Sequence, residues 1–407
     1  MLIFLIYARS SPAQTPERLS SNARISVITC SPGEELYEAF GHSAIRVHDP
    51  GKVDMVYNYG IFSLTEENFY VNFAKGFLWY KLGVNSFDRF LPVYSYGNRW
   101  VIEQELNLSY QQKNDLYKYL EWNRKPENAR YKYHYFDDNC ATRIMFVLDS
   151  VKAINVAWND KPARGYRPDE LANANILTKP RKFEKPNATY RNLVHRYTED
   201  HQWMRLGIDL CQGMPVDKPL NDQQFSFLPD YFMLALDKAT LNGKRLVGAT
   251  NVLHKPQQEI RLLDVDFTVI FLNIIWISLL LIVLFAKKYT RLNAIVYWII
   301  LGITSFLGLF ILVMWFGTEH YHCSNNLNVL WASPINLVAF IFIKKDWAKK
   351  YFKFYNWLLI AILVTWFWAF PQNLHEALLG LLILLAVMAK KLSNNTSEPI
   401  EEKPTLD

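Results

Sequence analysis

The run Asp137-Asp138-Asn139-Cys140-Ala141-Thr142-Arg143 places a thiol where an aromatic, strand-prone stretch gives way to an apolar, helical one. Residues 131–136 read as a strand, Asp137 to Asn139 as turn and N-cap, and residues 141–148 as a helix. A cysteine in the first turn of a helix sits at the positive end of the macrodipole, among unpaired peptide N–H groups. That position favours thiolate near neutral pH, and the same N–H groups can hold the oxyanion formed when sulfur attacks a carbonyl. The competing reading is a small residue packed under a helix, with no chemistry of its own. A thiol nucleophile needs a base, which can come from elsewhere in the chain. His42, in Phe40-Gly41-His42-Ser43-Ala44-Ile45-Arg46-Val47, is the candidate, because the run is strand-like and Gly41 lets another backbone or a substrate come close. Tyr37 and Arg46 could donate to an oxyanion or a phosphate; a buried aromatic and a surface cation are the plainer alternatives.

These groups need a scaffold. Residues 24–29, Val53–Ile61 and residues 99–108 read as strands. Tyr110–Asn123, with Leu116, Tyr119, Leu120 and Trp122 at helical spacing behind Ser109, reads as a capped helix that Pro126 ends. Residues 223–242 read as another helix, capped by Asp222. The domain so assembled spans residues 23–251 and is α+β in class. Residues 1–22 form a signal-like segment, with a short apolar core at residues 2–7 and Ser11-Pro12-Ala13 as a candidate cleavage site.

The 407 residues are 51% hydrophobic and 15% aromatic, yet mean hydropathy is −0.04, so a polar part must be joined to a greasy one. A net charge of +6 and the lack of a phosphate-cradling glycine loop give no reason to expect nucleic acid. The greasy part lies in residues 252–391, where five apolar segments follow one another at residues 267–286, 295–316, 327–343, 355–370 and 377–389. Basic clusters follow the first, third and fifth: Lys287-Lys288 with Arg291, Lys344-Lys345 with Lys349-Lys350-Lys353, and Lys390-Lys391. The positive-inside rule then puts the amino-terminal domain outside and the tail, residues 392–407, in the cytoplasm. Two polar loops share the outer side, one with His320, His322, Cys323, Asn326 and Asn328, the other with His375 and Glu376. The histidine and cysteine spacing fits no standard zinc pattern, so no metal is assigned, and these groups read as a polar mouth or a headgroup contact. With Cys140 kept free, Cys30, Cys211 and Cys323 leave no even count for disulfides.

Thr29-Cys30-Ser31-Pro32-Gly33-Glu34-Glu35-Leu36-Tyr37, the His42 run, Tyr57-Asn58-Tyr59-Gly60-Ile61-Phe62, Pro126-Glu127-Asn128 and the Cys140 run together closely resemble the Lnb N-terminal periplasmic domain family. The resemblance implies a circularly permuted papain-like domain of the NlpC and lecithin:retinol acyltransferase kind, followed by an all-α transmembrane bundle of about five helices. It implies Cys140 as nucleophile, His42 as base and a third, orienting group from the next strand. Asn58 is that group, although strand register decides whether Tyr57, Asn58 or Tyr59 faces the ring. The likeness extends to His320, Asn326, Asn328 and Pro334. Substrate-binding candidates are therefore Tyr37, Arg46, Tyr57, Asn139, His320, Asn326 and Asn328. Members with a membrane domain resemble lipoprotein N-acyltransferases of the bacterial inner membrane with a periplasmic catalytic domain. Such enzymes pass an acyl chain from a phospholipid donor, through a cysteine thioester, to the α-amino group of a diacylated lipoprotein, without a cofactor. Two other functions fit the same residues: a cell-wall cysteine peptidase or amidase, and a non-enzymatic envelope binding module.

Overall fold

The computed structural model describes residues 17–63, 65, 67–158, 188–221, 223–256, 266–285 and 290–394. The signal-like residues 1–16, the Asp222 cap and the tail beyond residue 394 lie outside them. The chain forms two compact units: one takes residues up to 260 except 74–76 and 189–219, the other takes the rest.

The first unit is built on β1 (Arg24–Cys30), β2 (His42–Asp49), β3 (Val53–Ile61), β4 (Trp79–Ser86), β5 (Val101–Leu106), β6 (Arg130–Lys132), the short β7 (Val156–Ala157), β8 (Thr240–Leu241) and β9 (Lys244–Arg245), and β10 (Val247–His254). Seven of these make one antiparallel sheet in the order β10-β5-β1-β2-β3-β4-β6, and β7, β8 and β9 make a small second one. Apart from Arg24, every residue of the central strand β1 is buried, so it lacks the alternation of a half-exposed strand. Both faces are covered. On one side α3 (Tyr110–Asn123), α5 (Cys140–Ser150) and the helix Pro229–Lys238 close a core of Val27, Ile45, Val47, Tyr57, Leu120, Ile144 and Phe232. On the other, α2 (Phe87–Tyr96) packs Phe90 and Tyr94 over Ile28, Cys30, Ala44 and Val56.

Local chemistry explains the helix starts. Ser109 accepts from the Gln112 N–H while Gln112 reaches back to the Ser109 N–H, the reciprocal cap expected before α3. Gly41 explains where β2 begins. It has φ +75°, and a Cβ there would stand 2.8 Å from the Cys30 carbonyl oxygen, so glycine lets the chain turn past the end of β1 and set His42 directly opposite Cys30.

Three expectations change. Of the aromatic run, residues 131–136, only Tyr131 and Lys132 are strand; beyond them His134 and Asp138 exchange backbone hydrogen bonds at 2.8 and 3.0 Å across a tight turn, and Tyr135 and Phe136 pack on Phe227. The helix expected at residues 223–242 is a 3-10 turn, Gln223–Phe227, then an α-helix that begins at Pro229. It ends before Asn242 and Gly243, both at positive φ, which turn β8 into β9 as an Asn-Gly hairpin. The third apolar segment is broken into Asn328–Trp331 and Ile335–Ile341.

The second unit contains helices Tyr190–Tyr197 and Gln202–Cys211 and a C-terminal helical region. Two of its helices, Phe267–Phe285 and Arg291–Phe316, are long and apolar enough to cross a membrane. At the break in the third segment, Asn336 donates to the Trp331 carbonyl at 3.3 Å and to the Tyr355 hydroxyl at 3.0 Å, and accepts from the Tyr351 hydroxyl at 2.6 Å. Tyr355 in turn donates to the same Trp331 carbonyl. Side chains thus take up a peptide group that the interrupted helix leaves open.

Gly41→Ala puts a Cβ against backbone at a left-handed φ, so the full chain in detergent should lose about 1–3 kcal/mol of stability. A thermal midpoint unchanged to within a degree would refute this account of the β2 start.

Candidate active site

Asn139 sets the geometry from which the site is built. Its Oδ1 accepts from the Ala141 and Thr142 N–H groups at 2.9 and 3.1 Å, and its Nδ2 donates to the carbonyls of Tyr135 and Phe227 at 2.8 and 2.7 Å. Thr142 Oγ1 closes the capping box by accepting from the Asn139 N–H at 2.8 Å. Cys140 is therefore held as the first residue of α5, partly accessible, with its Cβ 3.9 Å from where a side chain on Gly60 would begin. Gly60 has φ +94° at an irregularity in the β3–β4 pairing, so the strand passes the thiol without a side chain in the way.

The peptide N–H groups of Ser43, next to His42, of Ala141 and of Cys140 itself favour the thiolate form of Cys140. His42 Nε2 is in short hydrogen-bond contact with Asn58 Oδ1. Since a carboxamide oxygen only accepts, the ring donates from Nε2, and its Nδ1 carries the lone pair. Register places Asn58 there: Tyr57 and Tyr59 point into the opposite core, where their hydroxyls donate to Glu121 and, at 2.6 Å, to Asn123. Tyr94 of α2 lies parallel to the imidazole with ring centroids 6.3 Å apart, and the Arg99 guanidinium lies 4.6 Å from the Tyr94 ring. Arg99 is itself held by the Ser31 carbonyl at 2.7 Å and by Glu38 at 2.9 Å.

Burial decides the protonation states. It pushes the Cys140 thiol up to about 11 against the three N–H groups that favour thiolate. It takes His42 down to about 4, with the Arg99 charge pressing the same way and the Asn58 hydrogen bond opposing both. At neutral pH the pair is thus thiol and neutral imidazole. A thiolate released by the helix terminus, as the sequence suggests, is not the resting state. What the arrangement can do is general-base activation, in which the proton leaves sulfur as the carbon–sulfur bond forms.

The remaining candidates are distributed as follows. Tyr37 is exposed on the 3-10 turn Leu36–Glu38. Arg46 grips Asp54 through two hydrogen bonds of 2.7 Å and Glu103 through one of 3.1 Å, and covers the Phe87 ring. The Tyr57 hydroxyl and both polar atoms of Asn139 are engaged inside the domain, as described. In the second unit, Asn326 donates to the carbonyls of Leu210 and Cys211 and accepts from the Asn328 N–H and from Gln372. Asn328 donates to the Asp209 carbonyl at 3.1 Å and accepts from the Trp331 indole at 2.9 Å. His320, half-buried, precedes the 3-10 turn Tyr321–Cys323. Ser43, Tyr94 and Arg99 were not anticipated: a backbone donor leaves no mark in sequence, Tyr94 comes from α2, whose packing spacing does not reveal, and Arg99 from the connection between α2 and β5.

Iodoacetamide alkylation of Cys140 in the full chain, with Cys140→Ala as blank, should speed up about tenfold per pH unit from pH 7.5 to 9.5, because a thiol near 11 is overwhelmingly protonated there. A rate that is flat from pH 6 to 8 would instead reveal a preformed thiolate–imidazolium pair.

Residues 16–174 match the Lnb N-terminal periplasmic domain, and residues 265–396 match the Lnb transmembrane domain. No curated protein and no solved structure matches the chain. With both Lnb domains in order on one chain, this is an Lnb-type protein, a membrane protein whose N-terminal domain is periplasmic.

Proposed function

We propose that the protein is a lipoprotein N-acyltransferase of the bacterial inner membrane, in which Cys140 carries the acyl chain. The observation that bears most weight is that the peptide N–H of Ser43, the residue after His42, favours the Cys140 thiolate, while the His42 imidazole is held through Nε2 by Asn58. A candidate base on β2 and a candidate nucleophile on α5 then sit on elements that pack together, on a chain whose family domains are those of an envelope membrane protein.

In this reading His42 Nδ1 takes the thiol proton as sulfur attacks the ester carbonyl of a phospholipid. The Ser43 and Cys140 N–H groups receive the oxyanion, and collapse expels the lysophospholipid alkoxide, which takes the proton back from His42. The α-amino group of the lipidated N-terminal cysteine of a diacylated lipoprotein then attacks the thioester. His42 removes a proton from nitrogen and returns it to the departing sulfur, so an amide forms and the thiol is restored. Asn58 keeps the ring in the tautomer whose lone pair is on Nδ1, a positioning role. The soluble-looking domain is tied to a bilayer because donor and acceptor are both lipids. The proposed membrane part is the bundle of about five helices to which the apolar segments correspond.

Mass spectrometry of a reporter lipoprotein from a host lacking its own N-acyltransferase tests the assignment. Wild type should add one acyl chain to the N-terminal cysteine, and Cys140→Ala and His42→Ala should add none. Acylation by Cys140→Ala would rule the mechanism out, and release of fragments from purified muropeptides by wild type alone would favour the cysteine peptidase or amidase reading. Asn58→Ala should lower turnover by about 10- to 100-fold with little change in KM, since it frees the tautomer without touching the nucleophile. The pH dependence has a defined sign. His42 is depressed to about 4, so the base is already unprotonated at neutrality; activity should hold as pH falls from 7 to 5 and be lost near 4. A fall centred near the ordinary histidine value would contradict the burial argument.

A further inference from the structure

Residues 70–73 and 77–79 carry apolar side chains that the core of the first unit does not absorb. Tyr70, Val71 and Phe73 on α1 (Phe69–Lys75), with Phe77 just before β4 and Trp79 as its first residue, are between 38% and 72% exposed. Exposed apolar side chains gathered on one short segment mark an interaction site. Its fringe is cationic. The β4–β6 pairing sets Trp79 opposite Lys132 and Lys81 opposite Arg130, and directly paired residues share a face, so one exposed side of this sheet edge presents a tryptophan and three cations. The Lys132 ammonium lies 5.1 Å from the centre of the Phe77 ring. Aromatic side chains fringed by lysine and arginine suit the boundary between hydrocarbon and phosphate, with rings among acyl chains and cations on headgroups.

An aromatic row runs from Phe73 into the core that Cys140 also packs against. Ring centroids follow one another from Phe73 to Phe69 (6.2 Å), Phe69 to Phe62 (5.8 Å), Phe62 to Tyr80 (4.9 Å) and Tyr80 to Tyr133 (4.3 Å). Phe62 is two residues beyond Gly60, the glycine that passes Cys140. Tyr80, Tyr133 and Cys140 all pack against the same core.

We propose that this aromatic and basic patch docks on an anionic phospholipid surface, and that the ring row leads the donor's acyl chain from that surface to Cys140. The docking half stands on the patch alone; the guiding half rests on the acyl-transfer reading above.

The full chain in vesicles of phosphatidylethanolamine and phosphatidylglycerol in equal parts tests the two halves separately. For docking, Tyr70→Cys in a Cys140→Ala background is labelled with an environment-sensitive dye, the Cys140→Ala parent serving as blank. The dye should be quenched by doxyl-labelled lipid and shielded from aqueous iodide, and Lys81→Glu with Lys132→Glu should weaken the lipid quenching at least about threefold. Full iodide quenching with no effect of doxyl lipid overturns docking, and so does dye self-quenching that depends only on protein density, the mark of contact between copies. For guiding, Phe73→Ser with Trp79→Ser should slow acyl transfer from bilayer phospholipid about tenfold or more while iodoacetamide alkylates Cys140 at the wild-type rate. Unchanged transfer overturns guiding. If wild type transfers no acyl chain at all, the acyl-transfer reading and the guiding half both fail, while the dye result still decides docking.

Discussion

The carboxamide of Asn139 is the joint on which the first unit's site depends. It is 4% exposed and satisfies two peptide N–H groups of α5 and two carbonyls, one from the turn before the helix and one from Phe227. Each such bond adds only about 1 kcal/mol net, but a buried group left without its partner costs about 1–3 kcal/mol, so four groups meeting at one side chain fix the helix start far more firmly than helix propensity could. The position of the thiol is thus set by residue 139. Gly41 does the corresponding work for the imidazole, and Ser43, the next residue after His42, favours the Cys140 thiolate through its N–H.

Placing a thiol at a helix terminus usually suggests a stabilised thiolate, and magnitudes explain why that does not hold here. A helix N-terminus contributes about 0.3–1 kcal/mol to a nearby negative charge, which is less than one pKa unit. Burial can move a group by up to about 3–5 units. Both members of the pair follow burial, the sulfur upward and the imidazole downward, so both rest uncharged. A site of this kind holds no ion pair that an apolar chain would have to displace. Its N–H donors act in a low dielectric, where they are worth most to a charge that appears only during reaction.

How much of this was legible in the sequence follows from how local each signal is. Val53–Ile61 and Tyr110–Asn123 are where alternation, helical spacing and the Ser109 cap put them, because those signals act within a few residues. β4, α2 and β10 were not anticipated; they are stabilised by partners distant in sequence, and α2 even contains Pro92. Asn242-Gly243 was readable as a hairpin, but the apolar run before it invited a longer helix. At the site the histidine and cysteine runs stood out, whereas the choice among Tyr57, Asn58 and Tyr59 required register. Arg46 and Tyr57 look available as donors in sequence, yet Asp54, Glu103 and Glu121 reach them from other parts of the fold.

The polar residues of the second unit follow a rule that sequence patterns do not express. The helix Gln202–Cys211 leaves its last carbonyls without intrahelical partners, as every helix does. Here asparagine side chains cap them: Asn328 takes the carbonyl of Asp209, and Asn326 takes those of Leu210 and Cys211. Beyond the helix, Gln372 and the buried Arg191 share the Gln212 carbonyl, and Arg191 is neutralised by Asp209 and Asp217. Asn326 itself is pinned by Gln372 and by the Asn328 N–H. Amides in an apolar context read naturally as contacts for a polar ligand. When each donor already has a carbonyl and the carbonyls belong to a helix end, the chemistry they perform is the completion of that end. Asn326 and Asn328 thus hold the end of Gln202–Cys211 in place.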